Sequence, residues 1–546
     1  MKKKFVSALL VASMAAGMLA GCGSSSSTTT NSSTSTSDTE AAGAVSEDGV
    51  TTTSTGTYTV DDPYQLTFAY IEFYQQTDAG RQAVEDAINE YMIENYQIEV
   101  TLLPLQYAEY QTKIQLMISA GDTLDVMPVY FSYASSWIDM DGIYDMSQLM
   151  DTEDGQKIIE ALGSEATAYV GSMNGVLFGF PANKESVELG GLCMRADVCD
   201  ALGLTEKYNL DAENSDTFTG NSLTWDEAEE IFAAVKEAYP DMYPLYLSNS
   251  SQYNRFTEFD TMVDSFGVID LSEHENSALE IVNMFETEQY KDYVTMMAKW
   301  YDAGYIYPDA ATDTQGSATM MKAGNTFSYA TAIKPGFLSE AESANGCECY
   351  VIYLNPYSEG GYICTTNVSF FDTGICSNSE DPEMAFKFVA ALYSDPTLYN
   401  LWQYGIEGTN YQVLDDGTAY FVDGEDGSNY AYHQNTGWAM GNQFQSYVWN
   451  DGTKEADYWD LLKHHNDWAY YSPAYGFMWD STEYSTQVTA LTNAYETYRA
   501  TLETGTEGSA KVEETLQALN DALYNAGLQA VMDEKQSQLD AWAAEQ

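Results

Sequence analysis

Positive charge is what this sequence has least of. Its 546 residues include 21 Lys and Arg against 83 Asp and Glu, a formal net charge of −62. Three of those cations are Lys2, Lys3 and Lys4, and without them 18 cations face 83 acids, a balance of −65. A field of that sign repels phosphate backbones and anionic lipid, so nucleic acid is excluded as a partner and the folded body should not lie on a membrane. Histidine is almost as scarce: His274, His433, His464 and His465 are the only four. Adjacent His464 and His465 leave a helix on different sides and make poor co-ligands, so no metal or other cofactor is expected. The chain has no Gly-x-x-x-x-Gly-Lys loop, no Gly-x-Ser-x-Gly elbow and no His-Glu-x-x-His helix, which removes the usual signals for phosphate binding, a serine nucleophile and catalytic zinc. No period of about 20 to 50 residues marks a repeat protein. Cysteine is sparse as well, with seven residues. The six after Cys22 are expected to be buried free thiols, because a body of this size has core enough without staples and Cys347 and Cys349 are awkwardly placed to bridge each other. What is not lacking is apolar material: 45% hydrophobic and 14% aromatic residues indicate a folded core under an acidic surface.

The N-terminal end reads as an export signal over residues 1–21. Lys2 to Lys4 precede a short apolar run, Phe5 to Met18, too short for a membrane span of about 20 residues. The following Leu19-Ala20-Gly21-Cys22 resembles the lipobox of bacterial lipoproteins, which implies cleavage before Cys22 and its lipidation. Residues 22–60, mostly Ser, Thr and Gly, read as a flexible tether with a reach of roughly 30 to 35 Å. The body would then be held at the extracytoplasmic face of the cell membrane by lipid and not by a helix.

Strands and helices alternate beyond the tether. Gln65 to Ile71 reads as a strand, Asp78 to Tyr96 as a helix with Val84, Ile88, Tyr91 and Met92 on one face, and Ile98 to Leu103 as a second strand. A helix from about Glu109 to Ala120 stops at Gly121 and leads into a strand over Asp125 to Tyr130. This order predicts an α/β fold with a wound sheet. Ligands in such sheets sit beyond the carboxyl ends of the strands, which makes Tyr74, Tyr130 and Trp137 candidates.

Several stretches resemble bacterial extracellular solute-binding proteins of the carbohydrate type. They are Gln115 to Val126, Gly175-Val176-Leu177-Phe178-Gly179-Phe180-Pro181, Leu223-Thr224-Trp225-Asp226-Glu227, Trp300 to Ala310 and Tyr404 to Tyr411. The last two, together with the tail from Asn525 to Asp540, are similar to a lipoprotein subgroup whose C-terminal region is known as DUF3502. The resemblance implies a two-lobed (type II) periplasmic-binding-protein-like fold with a hinge and an interlobe cleft. Mapped onto this chain, one lobe takes residues 61–180 plus 334–404 and the other 181–333 plus 405–546. Hinges then fall at Pro181, Thr331 and Gly405. The implied function is capture of a small solute by lobe closure and delivery to the permease subunits of an ABC importer, by a monomer and without covalent chemistry.

Sugars offer apolar faces ringed by hydroxyls, so their sites combine aromatic platforms with hydrogen-bonding polar groups. The 43 Tyr, 21 Phe and 10 Trp suit that chemistry. By position in the first crossing, Asn183, Lys184 and Glu185 are candidates; the last follows the placement of an acid in maltose-binding relatives of the wider superfamily. Arg255, one of few cations, Trp438, in Thr436-Gly437-Trp438, and Trp479, in Gly476-Phe477-Met478-Trp479, complete the set. Two alternatives stay open: a surface carbohydrate-active hydrolase, which needs a suitably spaced acid pair, and a receptor for a peptide or another non-sugar nutrient.

Overall fold

The computed structural model describes residues 56–545 except 211–221, 251–252, 355–360, 451 and 453. The signal segment, Cys22 and nearly all of the tether lie outside the described residues. Two five-stranded mixed sheets, each with its own hydrophobic core, form two lobes.

The first sheet is built much as the alternation predicts. Strand β1 (Tyr64–Ile71) pairs in parallel with β2 (Ile98–Leu105) and with β3 (Val126–Tyr130). Helix α1 (Asp78–Tyr96) starts where the Thr77 hydroxyl accepts the Gly80 amide and buries Val84, Ile88 and Met92. Helix α2 (Tyr107–Ala120) ends at Gly121, whose φ of 71° suits glycine. The sheet is completed by β4 (Phe180–Pro181) and by β11 (Phe371–Ile375), which runs antiparallel to both β3 and β4.

The second sheet has the order β6 (Ser222–Leu223), β9 (Cys349–Leu354), β5 (Gly190–Arg195), β8 (Thr326–Ala332), β7 (Tyr243–Tyr246). This pairing corrects the lobe boundaries expected from sequence. Residues 349–354 are bonded to β5, with Ile352 opposite Leu192, so the stretch after 334 returns to the second lobe. Thr331 is no hinge: it lies within β8, opposite Gly191. Gly405 is no hinge either. With φ 88° it stops the helix α4 (Pro396–Tyr404), where a Cβ would come within 2.5 Å of the Asn410 side chain. The chain then stays beside the first lobe, where Tyr432, Ala439 and Met440 join the core. Pro181 sits in β4, at the first-lobe end of the first crossing. The segments that pass between lobes are 182–189, 364–370 and the stretch from about 441 to 469, which contains helix α5 (Tyr458–Trp468).

After strand β12 (Tyr470–Tyr471), helices α6 (Ser485–Glu503), α7 (Val512–Ala526) and α8 (Leu528–Ala543) pack into the second lobe. Leu502, Leu519, Leu523, Val531 and Leu539 share one cluster with Leu192 and Phe232 of that lobe. Among the described residues, the cysteines from Cys193 onward are unbridged and mostly buried, and no helix is long and apolar enough to cross a membrane.

His433 illustrates how the acidic body hides a pH-sensitive group. It is buried among Tyr404, Phe421 and Trp449, the last with ring centroids 4.1 Å away, and its Nδ1 has no partner among the described residues. Burial pushes its pKa down to about 3. The native ring therefore stays neutral while the unfolded ring gains a proton below about pH 6.5, so stability is present above that pH and is lost as pH falls toward the folded value. Between pH 7.5 and 5 this one group is expected to cost about 2 kcal/mol. Urea unfolding of wild type and His433→Phe at both pH values checks it: the gap between the two proteins should shift by that amount.

Candidate functional site

A cleft of about 790 Å³ lies between the lobes. Its floor is made by the crossings, which are stitched side by side. Asn183 N donates to Gly441 O at 2.8 Å and Gln443 N to Asn183 O at 3.1 Å; Glu188 N donates to Tyr362 O at 2.9 Å. Asn466 clamps both sides of the same segment, its Oδ1 accepting from Ser186 N and its Nδ2 donating to Lys184 O, each at 2.8 Å. Strands β10 (Tyr362–Ile363) and β12 pair in parallel, joining the second crossing to the third. Residues 184–188 are thereby presented to the cleft on a rigid support.

Aromatic rings line the first-lobe wall. Trp438 faces the cleft and is backed by Phe73 at 4.8 Å and Phe371 at 6.1 Å between ring centroids. Tyr74 and Phe370, 45% and 39% exposed, keep large ring faces open inside this concavity, and Phe131 lies beside them. Exposed rings gathered in a concave surface mark a binding site more than a surface accident. The opposite wall brings Ile333, Phe337, Thr261 and Val263 from the second lobe.

Polar chemistry concentrates at the floor. Glu185 accepts from Lys334 Nζ at 2.7 Å and from Gln443 Nε2 at 2.8 Å. Burial alone would push its carboxyl up, but the Lys334 and Lys184 ammonium groups outweigh it and hold the pKa at about 2. Lys334 feels the reciprocal effect: burial lowers its pKa, Glu185 raises it, and the net shift is upward. Lys184 donates to the Glu185 backbone carbonyl at 2.6 Å, and its own desolvation wins, lowering its pKa. Lys454 pairs with Glu340 at 2.9 Å, and Arg255 with Glu188. The floor is thus a network of cation–carboxylate pairs in a protein otherwise poor in cations, edged by the amides of Asn367, Asn435 and Gln443.

Residues 86–419, more than half the chain, match the model of the family described as bacterial extracellular solute-binding protein. The chain belongs to that family. Residues 473–544 of this solute-binding protein also match the domain of unknown function DUF3502. A curated relative, the carbohydrate ABC transporter substrate-binding protein of Streptococcus pneumoniae serotype 4, is 23% identical over 451 residues, covering 80% of this chain and 83% of the relative. Among solved structures, the N-glycan transport solute binding protein of S. pneumoniae is similar at 20% identity with a TM-score of 0.68, covering 88% of this chain and 98% of that one. An extracellular solute-binding protein from Bifidobacterium longum subsp. infantis is similar at 14% identity and a TM-score of 0.60, covering 89% and 99%. At these identities the structural likeness carries the two-lobed fold.

The cleft of the solute-binding protein gathers four of the residues expected from sequence: Tyr74, Lys184, Glu185 and Trp438. The others are elsewhere. Trp137 is fully buried in the first-lobe core, against Tyr110 and Tyr133. Trp479 is 1% exposed and donates its Nε1 to Asp264 at 3.0 Å within the second lobe. Tyr130 stands behind the lining rings, 4.6 Å from Phe131 and 5.1 Å from Phe370. Asn183 turns its amide to Ala161 O at 2.6 Å and holds the crossing in place. Arg255 reaches the cleft only through Glu188 and itself lines a separate cavity of about 270 Å³. Sequence reasoning missed Phe131, Phe370, Lys334, Glu340, Lys454, Gln443, Tyr458 and Trp459 as lining residues. Phe131 alone had a usable signal: it follows β3 directly, at the same strand end that singled out Tyr130.

Proposed function

We propose that this protein is the sugar receptor of an ABC importer, taking an oligosaccharide into the interlobe cleft. The observation that carries this reading is the pairing of open aromatic faces on one wall with amides and ion-paired carboxylates on the floor, a composition suited to a polyhydroxylated ring with apolar faces. The cleft's volume sits in the upper part of the roughly 300–1,000 Å³ range of small-molecule pockets, which leaves room for more than one ring. Related folds support it: the S. pneumoniae N-glycan transport protein has been solved with Man5GlcNAc and with Man1GlcNAc, at TM-scores of 0.59 to this chain.

A sugar bridging both walls binds the closed form more tightly than the open one and so shifts the population toward closure. The loaded form docks on permease subunits and releases its cargo there. Acting as a monomer tethered through lipid on Cys22, the receptor would stay at high effective concentration beside that permease. A hydrolase is the weaker reading because its general acid must hold a proton. Glu185 is held ionised, and Glu188 and Glu340 each contact a cation.

The test is a thermal-shift screen of the purified body against neutral mono- and oligosaccharides, amino acids and peptides. A sugar at about 100 times its dissociation constant should stabilise by roughly 2.7 kcal/mol. Silence across all sugars with a response to peptides would transfer the proposal to the peptide class, and release of free sugar would return it to the hydrolase.

A further inference from the structure

One buried lysine of the C-terminal helices is bonded to a loop that lines the cleft. Lys535, in α8, has no exposed side-chain surface. Its Nζ donates to Gly267 O at 2.8 Å, to Thr261 O at 3.4 Å and to the Asp264 carboxylate at 3.1 Å. All three acceptors belong to one loop between the short strands Phe259–Asp260 and Ile269–Asp270. Trp479 donates to the other Asp264 oxygen at 3.0 Å, and its ring centroid lies 5.0 Å from the same ammonium. Lys535 and Trp479 both fall within 473–544, the segment whose family has no known function.

The loop is one that needs holding. Asp264 N donates to Thr261 O at 3.2 Å, closing a turn whose central residues, Met262 and Val263, have φ of 50° and 113°. Turns with two positive φ values favour Asn-Gly, and a β-branched residue there is strained. Such strain persists where the surroundings over-determine it, and it concentrates at ligand clamps and active sites. The surroundings here do so. Asp260 accepts from Met262 N at 3.1 Å and from the Ser472 hydroxyl at 2.5 Å, and Met262 is sunk in the second-lobe core. The consequence of the turn is that Thr261 and Val263 line the cleft, with Val263 packed against the hydrophobic clusters of both lobes.

We infer that the C-terminal helical segment is a buttress for the ligand site, with Lys535 as the positioning residue that clamps the 260–267 turn so that Thr261 and Val263 face the ligand. This rests on the cleft being the place where solute binds. It gives the segment a task in recognition beyond completing the second-lobe core.

Lys535→Met keeps the length of the side chain and removes its three donated bonds. Hydrogen exchange of the unliganded protein should show amides of 260–267 exchanging at least about tenfold faster, and affinity for Man5GlcNAc, measured by calorimetry, should fall by about tenfold. Leu519→Ala, which thins the same helical segment but leaves the Lys535 bonds to the loop in place, should lower the melting temperature while leaving both quantities alone. Adding Val263→Gly to Lys535→Met relieves the strained φ and should restore part of the exchange protection. The inference is overturned if Lys535→Met leaves exchange in 260–267 as in wild type, if exchange rises with affinity unchanged, or if Leu519→Ala produces both effects equally. Should wild type bind neither Man5GlcNAc nor any other sugar, the sugar-receptor reading falls, while the exchange comparison still decides whether Lys535 holds the turn.

Discussion

Glutamine at position 185 is expected to remove about 3 kcal/mol of stability at pH 7. Glu185 has a folded pKa of about 2 against an ordinary 4.5, because Lys334 and Lys184 outweigh its desolvation. The side chain is 15% exposed, so solvent screens the pairing only partly. A depressed carboxyl pKa stabilises the fold fully above the unfolded value and loses that contribution as pH falls through the folded one. The window for this group is therefore roughly pH 4.5 down to 2. Glu185→Gln keeps the shape, but it leaves two ammonium groups at the cleft floor without their counter-charge and weakens the tie to Gln443. Removing the carboxylate is the costly direction because Lys184 stays desolvated, although Lys334, 38% exposed, regains part of its solvation from water. Urea unfolding should show wild type above the variant by about 3 kcal/mol at pH 7 and by only about 1 kcal/mol at pH 3. Parallel stability curves across that range would mean that Glu185 is not held ionised by the lysines.

How far the sequence reveals this arrangement depends on whether the deciding interactions are local. Helix α1 is legible because everything that makes it is local: Thr77 caps it, and Val84, Ile88 and Met92 recur at helical spacing over a buried face. The parallel part of the first sheet follows for the same reason, β2 and β3 each being fed by a helix, while β4 and β11 join it through non-local pairing. The second crossing is not legible. Residues 333–336 dip toward the cleft and look like a departure from the lobe, yet β9 returns to pair with β5, and only that non-local pairing shows which sheet the strand joins. Gly405 shows a related ambiguity, since a glycine that stops a helix and one that begins a hinge have the same local signature.

The cleft cations were hidden for a different reason. Lys334 stands alone between Ile333 and Pro335 and Lys454 in a polar stretch, and neither carries a mark in sequence that separates it from a solvated lysine. They become part of a site because distant segments bring Glu185 and Glu340 within 3 Å of them. By contrast, Lys184 and Glu185 stand next to a crossing marked by Phe180-Pro181, so their location could be inferred from the family resemblance. The aromatic candidates split likewise: spacing shows that a tryptophan is present, while its direction is set by which face the core claims.

Trp438 and Trp137 turn that split into a measurement. Trp438→Ala removes a ring facing the cleft, and truncating an aromatic anchor in a binding site commonly costs about 2 kcal/mol or more, a loss of roughly 30-fold in affinity. Its effect on folding should be the smaller one, because the ring is backed on one side by Phe73 and Phe371 while the other side faces the cleft. Trp137→Ala should do the reverse. That ring is completely enclosed by the first-lobe core, so its loss leaves a cavity and costs about 3–5 kcal/mol in stability. The molecules that remain folded should bind sugar with nearly wild-type affinity, because neither Tyr110 nor Tyr133, which pack against Trp137, lines the cleft. Calorimetric titration of both variants with the sugar that stabilises wild type, alongside urea unfolding, separates the two effects. If Trp438→Ala binds as wild type does, the aromatic wall is not the sugar platform and the proposed site must move within the cleft. If Trp137→Ala loses affinity while still folded, the core beneath α2 is coupled to the ligand in a way its geometry does not provide.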